Sequence, residues 1–124
     1  MNTTQHYSVI DHFLHQLGID TLHWDGSPLT LTFDENGTLN LDANQRGVIL
    51  ALTQKIDDYQ LESIASKVLR AIHLDQRLPF PVQAGLKGDH DLALIIVLRD
   101  EDVDLSNVNQ ALSLLIHLHE HVNQ

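Results

Sequence analysis

The sequence contains no cysteine. This absence excludes disulfide frameworks, thiolate zinc sites and cysteine nucleophiles. Basic side chains are also scarce, because seven lysines and arginines stand against 17 aspartates and glutamates, a formal net charge of −10. The electrostatic field of so acidic a chain repels the phosphate backbone of nucleic acids, and the sequence contains no basic stripe that could attract it. Nucleic acid is therefore not expected as a partner.

Long apolar runs are missing as well. No stretch approaches the roughly 18 consecutive apolar residues of a membrane-spanning helix, and the first residues, MNTTQHYSVID, lack the basic and apolar regions of a signal peptide. We therefore expect a cytoplasmic protein without membrane contact. The 124 residues, 43% of them hydrophobic, suffice for one core, which predicts a single domain over residues 1–124.

Three segments have the apolar periodicity of amphipathic helices. The first, HYSVIDHFLHQLG, has apolar residues three and four positions apart and is expected to end at Gly18. The second begins at the capping pair Asp57-Asp58, and its apolar face continues to Ile72. The third follows the acidic loop RDEDVD, with Asp104 or Ser106 as the N-cap.

Alternation of apolar and polar residues predicts β-strands between these helices. LTLTF and TLNL flank the hairpin signal Asn36-Gly37. VILALT and LALIIVL are apolar at consecutive positions, which predicts strands covered on both faces. In LPFPVQAGL, neither Pro79 nor Pro81 can donate to a ladder, so this strand is expected at a sheet edge or irregular at its start. The sequence thus predicts an α+β domain, order α-β-β-β-α-β-β-α, with a mostly antiparallel five-stranded sheet packed with three helices.

Histidines are concentrated in the last segment, LLIHLHEHVNQ. On a helix His119 points about 200° away from His117, so only His117 and His121 can cooperate, as a pair four residues apart. Two imidazoles bind zinc or nickel weakly without further ligands. Histidine is also favoured near a helix C-terminus by the helix dipole, so these histidines are expected at the surface. We predict no metal site.

No motif demands a catalyst. GLKGD at 85–89 lacks the spacing of a phosphate-binding loop, and no GxSxG nucleophile elbow is present. We therefore predict no catalytic residue and no cofactor.

The chain resembles the class I type III secretion chaperones, the Tir-chaperone family, over essentially its whole length. The resemblance lies in the order of elements, the size, the acidity and the absence of cysteine. Its most telling pieces are the first helix ending FLHQLGID, the hairpin LTLTFDENGTLNLD, the strand VILALT, and the late pair of strands before the terminal helix.

This resemblance implies a non-enzymatic homodimer that binds the N-terminal chaperone-binding segment of a secreted effector. Such a chaperone keeps the segment extended and soluble and delivers it to the secretion apparatus, with the ATPase of the secretion system as a further partner. The residues that match the family's effector-binding surface come from the first helix and the first strand: Phe13, Leu14, Leu17, Leu29, Leu31 and Phe33. Those that match its dimer interface come from the second helix and the strand after it: Ile64, Val68, Ile72, Leu78, Phe80 and Val82.

Two alternatives belong to other functional classes. A small metal-binding protein or metalloenzyme could use His117 and His121 with one of His12, His15 or Asp11, if the first and last helices lie side by side. A non-catalytic regulatory adaptor of the same fold would bind a folded partner instead of an extended client.

Overall fold

The computed structural model describes residues 3–19, 23–44, 46–57, 61–74, 78–88 and 90–122. The elements are three helices and five strands: α1 (Thr3–Gln16), β1 (Leu29–Phe33), β2 (Gly37–Asn44), β3 (Gly47–Lys55), α2 (Leu61–Leu69), β4 (Gln83–Lys87), β5 (Asp91–Arg99) and α3 (Leu105–Val122). A π-helical segment (Arg70–Leu74) extends α2, and a 3-10 turn (Asp100–Asp102) precedes α3. The predicted α+β order is confirmed.

Helix α1 ends and α3 begins where the sequence predicts. Gly18 has a positive φ of 89°, and the N–H of Ile19 donates to the carbonyl of Leu14, which together terminate α1. At the start of α3, the Asp104 carboxylate accepts the backbone N–H of Asn107 at 2.7 Å. Asp104 is therefore the N-cap, and Ser106 is not. The other predicted cap is only partly visible, because Asp58 lies outside the described residues.

The sheet is antiparallel throughout, with strand order β1-β2-β3-β5-β4. The hairpin at Asn36-Gly37 joins β1 and β2, with Phe33 opposite Gly37. Strand β4 lies at an edge and begins at Gln83, after Pro79 and Pro81, as predicted from the two prolines. Strand β1 forms the opposite edge.

All three helices lie on one side of this sheet. Helix α3 packs directly on β3 and β5, while α1 and α2 contact α3. The inward side chains of the central strands form the core together with the helices. They pair across the strands, as Leu50 does with Leu41 and Ile96. One close approach fixes the start of β3, because a Cβ on Gly47 would collide with the carbonyl oxygen of Leu98.

The prediction that β3 and β5 are covered on both faces is wrong for the part of the chain that the structure describes. Their outward residues Ile49 and Ile95 are only partly buried, and Val97 is 36% exposed. Consecutive apolar residues arise here because the outward face is itself apolar, not because a second layer of described elements covers it.

Candidate functional site

An apolar groove separates helix α2 from the edge strand β4. Its floor consists of buried side chains, and exposed leucines rise on either side: Leu69 is 58% exposed and Leu86 55% exposed. The cavity has a volume of about 220 Å³ and is lined by Ile56, Ile64, Ala65, Val68, Leu69, Ala84, Gly85, Leu86 and Leu92. We call it the α2–β4 groove. Exposed leucines beside a strand with an unpaired edge are typical of a surface that another chain covers.

Of the six residues predicted for a dimer interface, two line this groove. Ile64 and Val68 form part of its floor and are almost fully buried, as is Val82. Ile72, Leu78 and Phe80 are partly buried and pack against the core. Sequence reasoning missed Leu69 and Leu86, the two most exposed leucines among the described residues. Leu69 was available as the next apolar residue of α2, but the exposure of Leu86 follows only from the position of β4 at the sheet edge.

The six residues predicted to bind an effector have different exposures. Phe13 and Leu14 are fully buried in the core and hold α1 in place, whereas Leu17, one turn further along, is 37% exposed. The strand residues Leu29, Leu31 and Phe33 are partly buried. Their strand has only β2 as a neighbour, so its other edge is unpaired among the described strands.

Helix α1 is fastened to the segment that leads into β1. The backbone N–H of Trp24 donates to the carboxylate of Asp11 at 2.6 Å, and the indole Nε1–H donates to the carbonyl of Ser27 at 2.9 Å. The Trp24 ring, 4% exposed, meets Tyr7 edge-to-face with the ring centroids 5.5 Å apart. Trp24 is thus a core residue that sets the relation between α1 and β1.

His119 is the one histidine of α3 that points into the core. It is fully buried, and its Nε2 lies 2.7 Å from the carbonyl oxygen of Leu52 on β3. Burial lowers the pKa of His119, and the hydrogen bond to Leu52 only partly opposes that effect. The expectation that all the terminal histidines lie at the surface is therefore wrong for His119, while His117 and His121 are exposed.

Sequence reasoning also missed a second buried histidine, His6. Its Nε2 lies 3.8 Å from the Asp100 carboxylate, so α1 is linked to the 3-10 turn before α3. No residue pattern around His6 distinguished it from the exposed histidines of the same helix.

The metal-site alternative requires α1 and the C-terminal half of α3 to lie close together. The side-chain amide of Asn109 donates to Gln16 at 3.1 Å, which places the end of α1 beside the beginning of α3. His117 lies about 12 Å further along the axis of α3. Within the described ranges, no group of three histidine, aspartate or glutamate residues could hold a metal ion. The metalloenzyme alternative gains no support from this arrangement.

Among the described helices, none combines the length and the hydropathy that spanning a bilayer requires.

Comparison with known families gives one match that spans nearly the whole chain. The family model described as type III secretory system chaperone SycN matches residues 7–123. The chaperone protein SycN of Yersinia enterocolitica is 28% identical over 118 residues, covering 92% of this chain and 93% of that protein. SycN of Yersinia pseudotuberculosis serotype I is 27% identical over the same length and coverage.

Solved structures share the fold. SpcU in its heterodimeric complex with ExoU, from the type III secretion system of Pseudomonas aeruginosa, matches with a TM-score of 0.68 and 19% identity, covering 91% of this chain and 93% of that chain. The Yersinia pestis type III secretion chaperone SycH, in complex with a fragment of YscM2, also has a TM-score of 0.68, at 18% identity and with 94% and 98% coverage. YbjN from E. coli matches less well, with a TM-score of 0.59 and 14% identity over 94% of this chain and 86% of that chain.

Proposed function

Since the chain belongs to the SycN family of type III secretory system chaperones, we propose that it binds the N-terminal segment of a secreted effector as a homodimer. Residues 1–124 act as one chaperone domain that keeps the segment extended and soluble until the secretion apparatus receives it. The observation that carries this proposal is the family match over residues 7–123. The chaperone complexes with ExoU and YscM2 are similar in fold and support an effector as the partner.

The client surface combines the edge of β1 with the exposed end of α1. An extended polypeptide can pair with the free edge of β1 and place alternate side chains against Leu29, Leu31 and Phe33. Leu17 offers a separate apolar contact at the end of α1. Phe13 and Leu14 contribute indirectly, because their burial fixes the position of the helix that carries Leu17.

The dimer forms through the α2–β4 groove. Leu69 and Leu86 are apolar, more than half exposed, and stand on either side of a concave apolar surface. A twofold axis beside β4 would bring the groove of one protomer against that of its partner and cover all four leucines. Ordering an extended client costs free energy, so a larger continuous surface is needed than one protomer offers.

The chaperone is non-catalytic and acts in the bacterial cytoplasm. Binding and release of an unfolded client need no bond to be made or broken by this chain. The ATPase of the secretion system is the proposed partner at the point of release.

The test is co-expression with secreted proteins encoded by neighbouring genes, followed by light scattering and limited proteolysis. We expect the free protein to have a mass near twice 14.0 kDa. We also expect one client to co-purify through a segment near its N-terminus that remains protease-sensitive when bound. A folded, protease-resistant bound partner would favour the regulatory adaptor instead. A monomer that captures none of the candidates would refute the proposal.

A further inference from the structure

The N-terminal part of the sequence contains no lysine or arginine. Residues 1–45 include six aspartates and glutamates, whereas all seven basic residues of the chain lie from Arg46 to Arg99. This N-terminal part supplies α1, β1 and β2, and therefore the whole of the client surface proposed above. The carboxylates around that surface have no lysine or arginine of their own segment to balance them.

Exposed carboxylates stand at both ends of β1. Asp34 and Glu35 lie in the turn that directly follows the strand, and Asp25 lies four residues before it. The Asp25 carboxylate accepts the backbone N–H of Ser27 at 2.9 Å, and this hydrogen bond lowers the pKa of Asp25, which is therefore ionised at neutral pH. Within the described ranges, none of the three carboxylates forms an ion pair with a cation.

The basic side chains of this part of the sheet lie beyond β2. Lys55 ends β3 and is the cross-strand neighbour of Asp91, and Arg46 lies in the connection between β2 and β3, at the other end of the sheet. The free edge of β1 faces away from both, because β2 is the one described strand that pairs with it. A ligand at this edge therefore meets carboxylates at either end before it meets a cation.

The strand edge also sets the conformation of the client and the spacing of its apolar residues. A peptide that pairs with β1 is extended, so its successive side chains point to opposite faces of the sheet. One set joins Leu29, Leu31 and Phe33, which pack against the core, and the other lies beside the exposed Thr30 and Thr32. Because β1 has five residues, the client residues that flank a stretch of this length come beside the carboxylates in either orientation.

We propose that the client segment bound at β1 has lysine or arginine on both flanks of a short stretch with apolar residues at alternate positions. The apolar contacts provide affinity, and the carboxylates at the two ends favour a basic segment and repel an acidic one. This inference rests on the proposed chaperone function and names the chemistry of the partner that this function requires.

The test uses synthetic peptides as probes and the full-length protein at pH 8, where imidazole is ordinarily neutral. The first peptide has valine at alternate positions and two lysines at each end. The second has glutamates in place of the lysines, and the third keeps the lysines but has serine in place of valine. At low ionic strength, fluorescence anisotropy should show the first peptide binding about tenfold more tightly than the second, and this difference should shrink to about twofold in 0.5 M salt. The serine peptide should bind weakly, because charge alone does not provide the edge contacts.

Two triple variants assign the preference to this edge. Asp25→Asn, Asp34→Asn and Glu35→Gln together remove the three carboxylates without changing side-chain size, and the preference for the lysine peptide should fall to about twofold. The matched control combines Glu101→Gln, Asp102→Asn and Glu120→Gln, which are also exposed and lie around α3. It changes the net charge equally and should keep the preference. Thermal unfolding midpoints confirm that both variants fold.

Four results would overturn the inference. They are the absence of saturable binding by the lysine peptide, equal affinity for the lysine and glutamate peptides, an equal loss of preference in the control variant, and amide shifts centred on Leu69 and Leu86 instead of Thr30 and Thr32. A client that co-purifies through a segment without basic flanks would also refute it, while the chaperone function stands. A monomer that captures no client refutes the chaperone function itself, whichever peptide binds.

Discussion

His119 on α3 and Leu52 on β3 are joined by a hydrogen bond of 2.7 Å inside the core, between the imidazole Nε2 and the backbone carbonyl oxygen. The carbonyl can only accept, so Nε2 carries the proton and the neutral ring leaves Nδ1 unprotonated. That Nδ1 is buried and has no hydrogen-bond partner in the described structure. Protonating it would place an unpaired charge in the core.

This relationship predicts how stability depends on pH. Burial lowers the pKa of His119 in the folded state, so the unfolded chain binds the proton more readily. The free energy of unfolding should therefore fall as the pH drops below about 6.5, by at most about 1.4 kcal/mol per pH unit, until the folded-state pKa is reached. Urea unfolding between pH 8 and pH 5 measures the effect. His119→Gln should show a weaker pH dependence, and the exposed control His117→Gln should follow the wild type. If the unfolding free energy of His119→Gln depended on pH as steeply as that of the wild type, the attribution of this dependence to His119 would be contradicted.

Charging the α2–β4 groove should dissociate the proposed dimer. Leu69→Glu and Leu86→Glu each place a carboxylate in an apolar contact, where an unpaired charge is strongly unfavourable. Light scattering should show the mass falling from twice 14.0 kDa to 14.0 kDa. Leu17→Glu is the matched control: this leucine is also exposed but directly follows α1, so the dimer should persist while client capture weakens. A dimeric Leu69→Glu, Leu86→Glu double variant would place the interface elsewhere.

The side chain of Asp104 makes the capping hydrogen bond at the N-terminus of α3. Asp104→Ala removes the acceptor for the Asn107 N–H and should lower the free energy of unfolding by about 1 kcal/mol. Asp104→Asn retains an acceptor and should recover most of the loss. Ser106→Ala, in the first turn but without the capping bond, should change stability by a few tenths of a kcal/mol at most. Chemical denaturation of the three variants measures their free energies of unfolding, and Asp104→Ala should be the least stable.

The hydrogen bond from the Trp24 N–H to Asp11 should contribute more to stability than the nearby ion pair between Asp11 and His23. Asp11→Ala leaves the Trp24 N–H without its acceptor and should cost about 1–3 kcal/mol. His23→Ala removes only a partner 3.6 Å from the same carboxylate; because His23 is exposed, its loss should be nearly neutral. The single tryptophan reports both unfolding transitions by fluorescence. If both variants lost the same free energy of unfolding, the hydrogen bond to Trp24 would not be the main contribution of Asp11 to stability.

The features predictable from sequence are those set by neighbouring residues. The hairpin at Asn36-Gly37, the end of α1 at Gly18 and the Asp104 cap depend on turn and cap chemistry within a few positions. The burial of His119 was also open to prediction, because it continues the spacing of Leu112 and Leu115 on the apolar stripe of α3. Histidine is polar, and its end-of-helix position suggested a surface role instead.

The surfaces could not be predicted in the same way. Consecutive apolar residues in β3 and β5 are compatible both with two covering layers and with one layer plus an exposed apolar strip. The two prolines predict an edge position for β4, but its pairing with β5 alone is a long-range choice, and that choice decides that Leu86 is exposed.

The strand order also constrains how the protein acquires its structure. The central ladder joins β3 to β5, with all of α2 and β4 lying between them in sequence, and α3, which covers that ladder, follows both. Closing such a long loop costs chain entropy, and this cost slows the pairing of β3 with β5. The β1–β2–β3 meander is therefore expected to form first, with its leucine face still exposed to water. Refolding should therefore pass through a dye-binding, aggregation-prone stage that ends when α3 docks. During that interval, a protein proposed to keep unfolded clients soluble would itself need protection from aggregation.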